Sequence, residues 1–168
     1  MMKKEQIKKV IETAFDGVTL DGGISLEQTK VIDNYGRGVS DEEFTAMPNK
    51  EVTNNWKEIP ISQLDEAECL SHFDRKGFKY YIPALMLRLL ENYDPISMMT
   101  IGTLSILYPK TETWAYLYSL LNEQQYQAIA LYLQALPNLV ELDTFEDKTV
   151  VDRAFNNYWS KFMPDTPT

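Results

Sequence analysis

The sequence holds very little of the residue types that build catalytic and metal centres. It has one cysteine and one histidine in 168 residues. A single thiol excludes an intrachain disulfide and suits a reducing compartment. Its seven glycines form no phosphate-binding loop, because Gly22-Gly23 is followed by neither Lys-Ser nor Lys-Thr. We interpret the glycines as turns and helix stops.

The chain also shows no candidate for a membrane segment. The uncharged run over residues 95–109 contains hydroxyl residues and a glycine and is too short to cross a bilayer. The opening residues 1–6 include charged side chains and lack the apolar core of a signal peptide. We therefore expect a bacterial-type cytoplasmic protein that does not bind membranes.

Basic residues are scarce where acidic residues are most frequent. The formal net charge is −9, and residues 12–68 alone hold 13 acidic against 4 basic residues. Phosphate contacts need clustered Lys and Arg, so this segment is not expected to bind nucleic acid. It either keeps the protein in solution or binds a basic protein partner.

The apolar residues recur with the period of an α-helix. Ile7, Val10, Ile11, Ala14 and Phe15 have the spacing of one helical face. Three capping boxes, at 25–28, 40–43 and 122–125, predict helix starts. We predict an all-α protein: a single compact domain over 1–168, with about seven or eight helices in orthogonal or bundle-like packing and frayed ends at 1–4 and 164–168.

Prolines set several of the expected boundaries. One helix is predicted from Ser62 to Phe73, and another from Asp74 to Tyr93 that is bent or restarts at Pro83. Its second half is apolar nearly all round, which indicates a buried central helix. Pro137 is predicted to end the helix that starts at residue 122. Residues 98–108 could form a strand or a helix; we favour a buried helix, since no partner strand is evident.

Cys69, His72 and Asp74 are the only combination that resembles a nucleophile, a base and an orienting carboxylate. On the predicted helix, Cys69 and His72 are three residues apart and share a face. Nothing in the sequence marks an oxyanion site or a pocket. We therefore treat these three residues as weak catalytic candidates, with a buried structural thiol as the favoured alternative. One Cys and one His do not suffice for a typical metal site, so no metal or cofactor is predicted.

Acidic side chains in the charged segment are the better candidates, as contacts to a partner. Charge complementarity supplies fast association and specificity, and tyrosines often anchor interfaces. The predicted partner-binding residues are Asp33, Tyr35, Asp41, Glu42, Glu43, Asp65, Glu66 and Glu68.

Two blocks of sequence resemble a family of small bacterial proteins classified only as a domain of unknown function. The first block is Gly23–Leu26 with Ile32–Gly36. The second comprises Trp56, Ile59-Pro60, Leu70–Asp74, Gly77–Tyr81 and Pro83-Ala84. The resemblance implies a bacterial origin and a compact fold. It assigns no activity and no site.

Our leading hypothesis is a non-enzymatic interaction protein, and in its sharper form an immunity-type protein that neutralises a basic toxin through residues 25–68. One alternative is a small hydrolase that uses His72 with Asp74. Another is a homo-oligomeric scaffold associating through the apolar run 98–107. The sequence leaves the partner, any ligand and the oligomeric state open.

Overall fold

Residues 2–35, 53–142 and 144–165 are described by a computed structural model, without the side chains of residues 34, 35, 112 and 113. Helices make up this part of the chain, and no strand occurs in it, so the predicted all-α class is confirmed. The α-helices are α1 Lys4–Ala14, α2 Leu26–Tyr35, α3 Ile61–Asp65, α4 Arg75–Glu91, α5 Met98–Ile106, α6 Glu112–Ala115, α7 Glu123–Leu139 and α8 Phe145–Asn157. Short 3-10 helices span Trp56–Glu58, Leu70–His72, Tyr116–Tyr118 and Trp159–Phe162.

Helix α4 is the centre of the core, as its apolar sequence predicted. It is buried without a break from Tyr80 to Met86 and contacts α1, α3 and α5. The predicted restart at Pro83 is wrong, because α4 runs through this residue. A proline inside a helix costs about 3 kcal/mol. We attribute the continuity to the burial of the helix on both sides of Pro83, which offsets that cost.

Helix α7 lies between α1 and α8. Its start is the predicted capping box: Asn122 accepts from the amide of Gln125 at 2.8 Å, and the Gln125 side chain accepts from the amide of Asn122 at 3.0 Å. The predicted stop at Pro137 is wrong by two residues, since α7 continues to Leu139. Across the core, the Tyr132 hydroxyl donates to the carbonyl of Met86 at 2.8 Å.

Residues 98–106 form a helix, as favoured, but the helix is buried on one side only, since Met98 and Ile101 are 58% and 45% exposed. The Ser97 hydroxyl caps α5 by accepting from the amide of Met99 at 3.2 Å. The indole of Trp159 donates to the carbonyl of Leu107 at 2.7 Å and ties the end of α5 to the C-terminal 3-10 helix.

The predicted helix from Ser62 to Phe73 is wrong. Helix α3 starts at Ile61 and ends at Asp65, and Cys69 has a left-handed backbone with φ of 60°. Between them Ala67 is buried while Glu66 and Glu68 are exposed. Glu66 is the C-cap of α3 and still has φ −90° and ψ 0°. The left-handed backbone of Cys69 is what prevents one helix from running on to Phe73, because such a residue does not fit inside a right-handed helix.

Candidate functional site

Asp74 joins the start of α4 to the loop before α2. Its Oδ1 accepts from the amide of Gly77 at 2.8 Å and from the amide of Ile24 at 2.9 Å. The two segments approach so closely that a Cβ on Gly77 would lie 2.5 Å from the carbonyl oxygen of Ile24. Asp74 is therefore an N-cap and a loop anchor, whereas the sequence suggested a carboxylate that orients His72.

His72 instead pairs with Asp33 at the end of α2. The imidazole Nε2 lies 3.2 Å from Oδ1 of Asp33, and the two side chains are 33% and 54% exposed. The contact lowers the pKa of Asp33 from its usual range, chiefly through the His72 hydrogen bond and then through one from Cys69. The sequence had identified each of these residues, but it assigned Asp33 to a different site.

Cys69, Asp33 and His72 thus form a cluster in which the carboxylate lies in the middle. Burial raises the pKa of the Cys69 thiol, and the neighbouring Asp33 raises it further. A nucleophilic thiol needs the opposite environment, with a base or a positive charge that stabilises the thiolate. The cluster therefore raises the pKa of the thiol, where activation would need it lowered. The His72–Asp74 pair on which the hydrolase alternative rests is replaced by a His72–Asp33 pair.

The predicted acidic surface is divided between engaged and available carboxylates. Asp65, which is the last residue of α3, makes a two-pronged salt bridge to Arg88 at 2.7 and 2.9 Å. The bridge lowers the pKa of Asp65. Glu66 and Glu68 are exposed and make no salt bridge to a described residue. Other predicted contacts lie outside the described residues, namely Asp41, Glu42 and Glu43, as does the side chain of Tyr35 at the end of α2.

Glu66 lines a groove between α2 and α3, here called the Glu66 groove. Its volume is about 250 Å³, and its wall carries a second exposed carboxylate, Glu27, and one amine, Lys30. Tyr81 of α4 closes it, and burial raises the pKa of that phenol to about 12. The remaining lining residues are Ser25, Leu26 and Gln63. This groove offers a partner two carboxylates around a neutral tyrosine.

A second groove was missed by sequence reasoning. It lies between the start of α4 and residues 114–120, encloses about 520 Å³, and is here called the Arg75 groove. The Arg75 guanidinium carbon lies 4.5 Å from the ring centroid of Tyr116, a cation–π contact. The lining residues are Ser71, Phe73, Asp74, Arg75, Lys76, Trp114, Tyr116, Leu117 and Leu120. The aromatic residues within 114–118 could have pointed to this groove. Their spacing, however, does not tell which of them face the solvent and which face the core.

Within the described ranges, no three His, Cys, Asp or Glu side chains are grouped in a way that could hold a metal ion. Among the helices that the structure describes, none combines the length and the apolar character needed to cross a bilayer.

The central buried helix and the open grooves around it define an all-α protein whose candidate sites lie at the surface. The chain belongs to a family of unknown function, DUF6714, whose model matches residues 3–163. The resemblance drawn from the two sequence blocks is thereby confirmed. No curated protein and no solved structure matches the chain.

Proposed function

We propose that this protein is a non-enzymatic interaction module that binds a basic protein partner through Glu66, Glu68 and the Glu66 groove. The observation that carries the proposal is the connector after α3, where buried Ala67 fixes the backbone and Glu66 and Glu68 are both exposed. An anchored connector holds these carboxylates at a set spacing. Less side-chain and loop freedom is then lost when a partner binds.

The two carboxylates that already form ion pairs within the fold are not expected to bind the partner. Asp65 and Asp33 are satisfied by Arg88 and His72. A partner would have to displace these contacts to use either carboxylate, which subtracts from any gain in binding. We therefore remove Asp33 and Asp65 from the predicted interacting set. Among the described side chains, Glu66 and Glu68 remain in that set, with Glu27 added from across the groove.

The sharper form of the proposal is an immunity-type protein that neutralises a basic toxin. The support is the net charge of −9 together with exposed carboxylates that are not used within the described fold. Complementary charge of this kind steers association and raises the on-rate. The position of His72 favours this interaction role over the hydrolase alternative, because the imidazole pairs with Asp33 while Asp74 is engaged by the amides of Ile24 and Gly77.

The test is a binding titration of the full chain against each basic protein encoded beside its gene, at low and at moderate salt. We expect one such protein to bind, with an affinity that falls as salt rises. The double variant Glu66→Lys and Glu68→Lys should weaken binding by at least tenfold.

The matched control reverses the same number of charges elsewhere, with Glu141→Lys and Asp152→Lys, both at exposed positions. This control should retain most of the affinity. Binding that the control weakens as much as the test variant, or no binding by any basic neighbour, contradicts the proposal. Protection of cells from a linked toxin, lost with the double variant at Glu66 and Glu68, distinguishes the immunity form from a general binding role.

A further inference from the structure

We propose that the Arg75 groove is a second binding site, for a segment of a partner protein that presents a large apolar or aromatic side chain beside carboxylates. This site is separate from the acidic surface in both position and sign of charge. Its volume of about 520 Å³ lies within the range that is typical of binding pockets in proteins.

The groove is apolar where it is accessible. Tyr116 is 60% exposed and Leu120 is 36% exposed, and both line it together with half-buried Trp114 and Leu117. Large apolar side chains lose contact with water when a partner covers them, at about 25 cal/mol per Å². The groove therefore favours an occupant with an apolar side chain of matching size.

The cations at one wall specify the rest of the occupant. The Arg75 guanidinium makes no salt bridge to a described carboxylate, although the protein as a whole is strongly acidic. It is held against the Tyr116 ring and donates to the hydroxyl of Ser119 at 3.3 Å. A guanidinium fixed on an aromatic ring keeps further N–H donors in a plane that suits a carboxylate.

The start of α4 adds to this positive potential. Arg75 and Lys76 are the first two residues of a 17-residue helix, and the first turn contains no acidic residue. The N-cap Asp74 precedes them, and its Oδ1 is engaged by the amides of Ile24 and Gly77. Cations at a helix N-terminus are unfavourable to the helix, because that end already carries a partial positive charge. Lys76 is compensated by Asp21 at 3.4 Å, whereas Arg75 faces the groove. A bound carboxylate would give Arg75 the ion pair that it does not make with any described residue.

The experiment is a selection of random dodecapeptides displayed on phage against the full chain, with the variant Arg75→Gln, Tyr116→Ser as the counter-target. Both altered side chains are at least partly exposed, so the variant should fold, and its melting temperature checks this. The single variant Arg75→Gln, which relieves a repulsion at the helix start, should melt at the same temperature as the natural chain or slightly higher. It serves as a second counter-target if the double variant does not fold.

We expect the selected peptides to be enriched in Asp or Glu beside Trp, Phe or Leu. A synthetic peptide of the best sequence should bind about tenfold more weakly to Arg75→Gln, the loss of one charge-assisted hydrogen bond. Arg153→Gln removes the same charge from an exposed position on α8 and should leave the affinity unchanged. In an amide NMR spectrum, the peptide should shift the indole signal of Trp114 and leave those of the buried Trp56 and Trp159 in place.

Three outcomes would overturn the proposal. They are enrichment of basic peptides, no peptide that prefers the natural chain to the folded counter-target, and binding that Arg75→Gln does not weaken. A small carboxylate such as phenylacetate that shifts Trp114 with the affinity of the best peptide would also overturn it, since the groove would then be a small-molecule site.

Discussion

The carboxylate of Asp33 and the imidazole of His72 are in contact at 3.2 Å, although 39 residues separate them in sequence. The pair joins the end of α2 to the 3-10 helix Leu70–His72, and the same carboxylate accepts a hydrogen bond from the Cys69 thiol. In this order, with the anion between imidazole and thiol, Asp33 adds to the effect of burial in raising the pKa of the Cys69 thiol.

Replacing Asp33 by Asn should make Cys69 more reactive. The change removes a negative charge that raises the pKa of the thiol. The fraction of thiolate near neutral pH should then rise. The rate at which Cys69 reacts with a disulfide reagent should therefore increase roughly two- to fivefold. The pH profile of that rate should shift to lower pH. His72→Gln is the control and should not slow the reaction; a strong slowing would indicate that the imidazole activates the thiol.

Replacing Asp65 by Asn should cost about 0.5 kcal/mol of unfolding free energy at pH 7, because the salt bridge with Arg88 is partly exposed. The pKa of Asp65 is lowered in the folded state. Its stabilising effect is therefore complete above the unfolded value of about 4 and is lost as the pH falls through the folded value. Urea titrations of both chains at pH 7 and at about pH 2 measure this. A difference that persists unchanged in acid would contradict the assignment.

Asp74 should stabilise the fold because its side-chain oxygen accepts hydrogen bonds, rather than because it carries a negative charge. Asp74→Ala leaves the amides of Ile24 and Gly77 without this acceptor and should cost about 2 kcal/mol. Asp74→Asn keeps an oxygen in the same place and should cost less than half as much. Chemical denaturation of the two variants gives the comparison. Equal losses would mean that the negative charge, rather than the acceptor, is what α4 needs.

Gly77→Ala should destabilise the protein by about 2 kcal/mol, since its Cβ would meet the backbone carbonyl of Ile24 at 2.5 Å. Gly102→Ala is the matched control, because there the nearest atom is the side-chain Cδ1 of Leu70 at 3.0 Å. A side chain can move, and alanine favours the helix by about 1 kcal/mol. The melting temperature should fall clearly for the first variant and little for the second. Similar falls would contradict the close approach of α4 to the loop before α2.

Thr100→Val should stabilise the protein by about 1 kcal/mol. The hydroxyl of Thr100 is fully buried and has no hydrogen-bond partner among the described residues. An unsatisfied buried polar group costs free energy, and valine has nearly the same shape. Thr103→Val is the comparison, since its hydroxyl contacts the sulfur of Met99 at 3.6 Å and should not give the same gain. A loss of stability in Thr100→Val would show that the hydroxyl has a partner in solution.

Proline positions show where local rules failed. Pro83 predicted a bend or a restart and Pro137 predicted a helix end, and both prolines lie inside continuous helices. The local cost of a proline is fixed by the chain, but whether it ends a helix depends on how much apolar surface the continued helix buries. That quantity is decided by neighbouring elements and cannot be read from a window of sequence.

The sequence by itself determined the helical class, the capping boxes at Ser25 and Asn122, the buried central helix and the excess of negative charge. These depend on contacts within a few residues or on composition, so local reading is sufficient. Only the tertiary structure decided that Asp33 meets His72, that Asp65 is engaged by Arg88, and that Arg75 lies against Tyr116. Such pairs bring together residues that are far apart in the chain. They depend on how the helices pack, which no local pattern encodes. The same packing determines which side chains remain available to a partner.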